Sequence, residues 1–129
     1  MPDIVHVTYA QTGKSSQINQ FGMREMQQKA FEERAAQYLL LKAPPASGKS
    51  RALMFIALDK LINQGIKKII VAVPEKSIGG SFAKTNLQDF GFFSNWEPND
   101  IYNLCTPGMD GSKSKVQAFK NFLENDEKI

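Results

Sequence analysis

Eight consecutive residues, Ala43-Pro44-Pro45-Ala46-Ser47-Gly48-Lys49-Ser50, have the types and spacing needed to hold a phosphate chain. A triphosphate brings several negative charges, so its site needs backbone N–H groups at close range, a helix N-terminus aimed at the charge, and a cation. Gly48 lets the backbone wrap the phosphates without a Cβ. Lys49 reaches the β and γ phosphates as the catalytic cation, and the Ser50 hydroxyl ligates Mg²⁺. Pro44, Pro45, Ala46 and Ser47 supply the loop and Arg51 follows it, so the segment reads as a site for ATP and Mg²⁺. Two residues depart from the pattern G-x-x-x-x-G-K-[ST]. Ala43 replaces the first glycine, and Ala46 is expected to avoid positive φ, which costs a non-glycine residue steric energy.

A loop of this kind must follow a buried strand and open a helix. Tyr38-Leu39-Leu40-Leu41 is a short apolar run that stops at Pro44-Pro45, as a buried strand entering a loop does. Beyond the loop, Ala52 to Leu58 continues to Leu61-Ile62 and stops near Gly65. That length predicts a helix, and apolar residues on most sides predict deep burial. Ile69-Ile70-Val71-Ala72-Val73 predicts a parallel strand covered on both faces. Strand, loop, helix and strand make one right-handed βαβ unit. A second Gly-Lys-Ser, at residues 13–15, follows the strand-like alternation of Ile4 to Tyr9. Ser16 to Gln20 behind it has no apolar helical face, so that copy lacks the helix a phosphate site uses and reads as a decoy.

Residues 1–20 form a lead-in segment. Met23, Met26, Ala30 and Phe31 predict an amphipathic helix within Phe21 to Gln37. Ile78, Phe82 and Leu87 predict a further helix over Ser77 to Phe90, weakened by Gly79-Gly80 at about 1 kcal/mol per glycine. Ile101 to Cys105 is expected as a third core strand ending at Thr106-Pro107-Gly108, and Val116, Phe119, Phe122 and Leu123 mark one face of a last helix. A chain of 129 residues matches one ordinary domain. Its net charge of +3 is spread along the sequence, which permits nucleic-acid binding without indicating it. No apolar run approaches the roughly 18 residues of a membrane span. One cysteine and one histidine leave no Cys/His metal cluster, so a metal would be held by oxygen and phosphate. The lone Cys105 and a start without a leader pattern point to a cytoplasmic protein.

The chain resembles superfamily-2 helicases and translocases, the group of DEAD/DEAH-box helicases and the motor subunits of type I and type III restriction enzymes. Residues 43–50 look like the family's A-P-T-G-S-G-K-T motif I. Met23-Arg24-Glu25-Met26-Gln27-Gln28-Lys29-Ala30 looks like the L-R-P-Y-Q-Q-E-A segment ahead of it, and Val71-Ala72-Val73-Pro74-Glu75-Lys76-Ser77 is similar to the start of motif Ia. The resemblance implies a P-loop NTPase of three-layer α/β/α architecture with a mainly parallel sheet, residues 21–129 being the N-terminal part of a RecA-like ATP-binding domain. It further implies that Gln27 reads the adenine edge and that Pro74, Lys76 and Ser77 contact the backbone of DNA or RNA. A second RecA-like domain is the implied partner, with ATP hydrolysis driving movement on nucleic acid.

The family's Walker B strand, four apolar residues followed by D-E-x-H or D-E-A-D, has no counterpart here. Asp126-Glu127 follows Leu123-Glu124-Asn125, which is not a buried strand, and reads as a solvated helix end. The chain is therefore expected to stop before Walker B and to bind nucleotide without turnover. Two other readings use the same loop: a P-loop kinase acting on a small molecule, which usually keeps the first glycine and needs an arginine-bearing lid, and a non-catalytic nucleotide-binding module.

Overall fold

The computed structural model describes residues 4–8, 19–105 and 112–129. The tripeptide at 13–15 and the turn at 106–108 lie outside the described residues. The fold is α/β, with strand β1 (Ile4–Thr8), helix α1 (Glu25–Glu32), strand β2 (Tyr38–Lys42), helix α2 (Lys49–Asn63) and helix α3 (Ser112–Glu124). The two strands pair in parallel, in register from Ile4 opposite Tyr38 to Thr8 opposite Lys42. Parallel strands need a crossover rather than a hairpin, and the crossover here carries α1. Part of the expected lead-in is thus a strand of the same sheet as β2.

Alternation decides what each strand buries. Val7 is buried with Met26 and Ala30 of α1 and Ala52 and Ile56 of α2, while Val5, Leu39 and Leu41 pack beside them. Ile4, Tyr38 and Leu40 on the other face stay about half exposed. The buried strand expected at Tyr38 to Leu41 therefore forms as a strand but is covered on one face only, by α1 and α2. The other flank of α2 supplies Met54, Phe55 and Leu58 to a second cluster with Met23, Leu87, Phe92 and Trp96. Two buried flanks explain why α2 is apolar on most sides.

Three expectations fail downstream of α2. Residues 69–73 form no strand, and Ile70 and Val71 are exposed. Ile69 donates its N–H to the Lys128 carbonyl at 2.7 Å, but the run gains no ladder among the described residues. Residues 101–105 also form no strand. Asp100–Tyr102 is a 3₁₀ turn, with Asn99 accepting from the Ile101 N–H at 3.1 Å. Instead of pairing, both runs line one cavity of about 220 Å³ with Trp96 and Phe122. The helix expected over Ser77 to Phe90 is two 3₁₀ segments, Lys76–Phe82 and Gln88–Phe90. Helix α3 forms as expected, with Phe122 buried and Val116, Phe119 and Leu123 exposed. Glu127, beyond its end, is partly buried and accepts from the Asn99 side chain at 2.9 Å. No helix among the described residues is long and apolar enough to cross a membrane.

Candidate functional site

β2 ends at Lys42 and α2 starts at Lys49, so the phosphate-loop candidate is the turn between them. Gly48 caps α2 at φ 91°, ψ 31°, a left-handed conformation that glycine reaches without a Cβ penalty. No side chain caps this helix start, and its first turn holds no acidic residue. The N–H groups of Lys49, Ser50 and Arg51 thus belong to the set that an α-helix leaves without intrahelical acceptors. The first helical bond runs from the Ala52 N–H to the Gly48 carbonyl at 3.0 Å. Such a terminus is suited to an anion, because the donors and the helix dipole face the same way.

The loop closes on itself. Ser47 donates its hydroxyl to the Pro44 carbonyl at 2.6 Å and its N–H to the same oxygen at 3.3 Å. The Lys49 ammonium arches back from the end of the loop to the Ala43 carbonyl at 2.9 Å, staying exposed. Ala46 overturns the expectation made for it. Its φ is 61°, the only positive value at a non-glycine position among the described residues. Placing an L-residue there costs roughly 1–2 kcal/mol, a strain that persists only where the surroundings impose it.

Gln27 fixes the loop from behind. It is 2% exposed, accepts from the Arg24 N–H through Oε1 at 2.8 Å, and donates from Nε2 to the Gly48 carbonyl at 3.1 Å. One side chain thereby satisfies the N-terminus of α1 and ties it to the loop, and a Cβ on Gly48 would collide with its amide. The sequence marked Gln27 as important but not as buried. The signal was present, because Met23 and Ala30 lie four residues before it and three after it on the same helical face.

The structure brings Gln27, Gly48 and Lys49 together, with Ser50 and Arg51 in the adjoining helical turn. Pro44 and Ser47 are partly buried in the loop, and Pro45 and Ala46 are exposed. Pro74 is exposed elsewhere on the chain, next to Val73 in the cavity wall, and Lys76 and Ser77 begin the 3₁₀ segment that follows. Sequence reasoning overlooked Asp59, which is 5% exposed on α2. Its carboxylate accepts from Asn63 and Gln64 at 2.8 Å each and pairs with the Arg34 guanidinium at 3.2 Å. That cluster ties the far end of α2 to the segment leading into β2.

The candidate site is therefore the turn between β2 and the uncapped start of α2, with Lys49 at its end. The chain is 58% identical over all 129 residues to a Bacillus subtilis (strain 168) protein described as "Putative ATP-dependent helicase YeeB". It spans 21% of that relative's length. No family model matches the chain, and no solved structure matches it significantly.

Proposed function

We propose that this chain is the nucleotide-binding part of an ATP-dependent helicase or translocase, built on the first portion of a RecA-like P-loop domain. The observation that carries the reading is the left-handed Gly48 at an uncapped helix start, with Lys49 arching over the loop. The relative's description supports the helicase class. The residues present fit MgATP. Backbone donors at 48–51 and the Lys49 ammonium would hold the β and γ phosphates, and the Ser50 hydroxyl is a hard oxygen ligand suited to Mg²⁺. The bound metal would neutralise phosphate charge.

Gln27 is assigned to the adenine. A carboxamide has two N–H donors and an oxygen with two lone pairs. The bonds to Gly48 and Arg24 use one of each, leaving a second donor and acceptor for a base edge. Pro74, Lys76 and Ser77 are assigned to the nucleic-acid backbone, DNA or RNA, on the resemblance to motif Ia, and a second RecA-like domain completes the cleft in a cytoplasmic enzyme. Turnover is proposed to need parts outside these residues, since phosphoryl transfer requires an oriented water and usually an arginine finger worth about 10³ to 10⁵ in rate.

Titrating a fluorescent ATP analogue into the wild type and Lys49→Ala tests the reading. The variant should bind roughly 10- to 150-fold more weakly, the range for losing a hydrogen bond to a charged group. Equal binding refutes the phosphate site. Repeating the titration with GTP as competitor against Gln27→Ala should show selectivity for ATP falling away, and unchanged selectivity would remove Gln27 from base recognition.

A further inference from the structure

Beyond the phosphate loop stands an exposed aromatic residue, Phe90. Residues 85–96 form a closed loop. Thr85 and Trp96 shut it with paired backbone hydrogen bonds of 2.9 and 3.0 Å, and Leu87, Phe92 and Trp96 anchor it in the core. Inside it, the Phe92 N–H reaches the Leu87 carbonyl at 3.2 Å, and Asn95 accepts from the Gln88 N–H at 2.9 Å. So tightly tied a loop nevertheless presents Phe90 with 57% of its surface exposed. A single exposed phenyl ring is ordinary in itself.

Two left-handed glycines seat Phe90. Gly91 has φ 105°, and a Cβ there would collide with the Gln20 carbonyl. Gly22 has φ 76°, and a Cβ there would lie 2.7 Å from both the Cβ and the carbonyl oxygen of Phe90. The Cβ and backbone of Phe90 thereby lie against the turn that leads into α1, the helix that carries Gln27. The Arg51 guanidinium lies over one face of the ring, 5.5 Å from its centroid. Arg51 is three residues past Gly48, about 4.5 Å along the helix axis. One turn further on, Phe55 packs on Phe92 at 4.7 Å between centroids, which locks the loop to α2. Phe90 therefore stands between the segment carrying Gln27 and the first turn of the phosphate-binding helix. A nucleotide held by its phosphates at that turn has to place its base nearby.

We propose that Phe90, flanked by Arg51, is a stacking platform for the base of the nucleotide whose phosphates the 43–50 loop holds. The proposal rests on the phosphate-site reading above. An aromatic face accepts any base, so Phe90 supplies affinity while discrimination among bases falls to hydrogen-bonding groups such as Gln27. The loop that carries Phe90 is already closed by its own backbone hydrogen bonds, so little ordering of the chain is needed on stacking.

Calorimetric titration of the 129-residue chain with MgATP and with magnesium tripolyphosphate, which has no base, tests this in the wild type, Phe90→Ala, Phe90→Trp and Lys49→Ala. Phe90→Ala should weaken ATP by roughly 5- to 150-fold, the cost of losing one base–aromatic stack, and leave tripolyphosphate unchanged. Phe90→Trp should bind ATP at least as well as the wild type. If Phe90→Ala leaves ATP binding intact while Lys49→Ala weakens both ligands, the phosphate site stands and the platform is overturned. Equal losses of both ligands in Phe90→Ala would show that the ring only supports the loop, which also overturns it. Should Lys49→Ala weaken neither ligand, the phosphate site itself is refuted and the platform falls with it.

Discussion

The two ends of α2 are finished in opposite ways. At the C-terminal end Asp59 is buried and fully engaged by Arg34, Asn63 and Gln64, the helix stops at a left-handed Gly65, and Lys60 donates to the Ala36 carbonyl at 3.3 Å. At the N-terminal end Gly48 offers no side-chain cap, no acid follows it, and Lys49 is exposed. Helix α1 shows that the chain can close a helix start, since Glu25 lies in its first turn and Gln27 accepts from the N-cap backbone. One end of α2 is saturated by the protein's own groups. The other has neither a side-chain cap nor an acid in its first turn.

The largest effect expected from this contrast is at the saturated end. Asp59→Ala removes the acceptor of three polar side chains, one of them the half-exposed Arg34, at about 1 kcal/mol for each lost hydrogen bond and roughly 3 kcal/mol in all. Chemical denaturation should show that loss, while the folded variant binds nucleotide within about twofold of the wild type, because the two sites share no partner. A selective collapse of nucleotide affinity without loss of stability would contradict the division of roles.

Glycines at the two ends sharpen it. Gly48→Ala and Gly65→Ala each force a left-handed conformation on an L-residue, a cost of roughly 1–2 kcal/mol. A Cβ at Gly65 meets nothing within 4 Å, whereas one at Gly48 runs into the Gln27 amide. Thermal unfolding should therefore rank Gly48→Ala as less stable by about a further 1 kcal/mol, the worth of a hydrogen bond left unmade. Only Gly48→Ala should also weaken nucleotide binding. Equal shifts in both variants would mean that Gln27 yields at no cost and does not hold the loop.

The strand–turn–helix unit was legible in the sequence because its determinants are local: an apolar run, paired prolines, a glycine at a cap and a long apolar stretch behind it. Residues 69–73 and 101–105 were misread for the complementary reason. An apolar β-branched run shows that a segment is fit to be buried, but a strand also needs a neighbour, and sequence alone does not name one. In the structure those runs line a cavity instead. Ala46 was misread because a single methyl group says little about a loop held by Ser47 and Lys49. Asp59 was passed over because it sits in an apolar stretch, although Asn63 one turn later was in position to bond it.

The smallest effect comes from making the open end of α2 resemble the start of α1. Arg51 occupies the third helical position, where an acidic side chain complements the dipole and can reach back to the cap. Replacing it also removes its contact with Phe90, so the informative comparison is Arg51→Glu against Arg51→Gln, which lose that contact alike and differ in charge. The glutamate variant should be more stable by about 0.3–1 kcal/mol at low salt. It should bind MgATP several-fold more weakly, because the new carboxylate competes for the same donors and repels the phosphates. Raising ionic strength to about 1 M, where screening acts within roughly 3 Å, should shrink both differences together. If the glutamate gains stability while ATP affinity stays equal to that of the glutamine variant, then the open start of α2 is not where the phosphates bind.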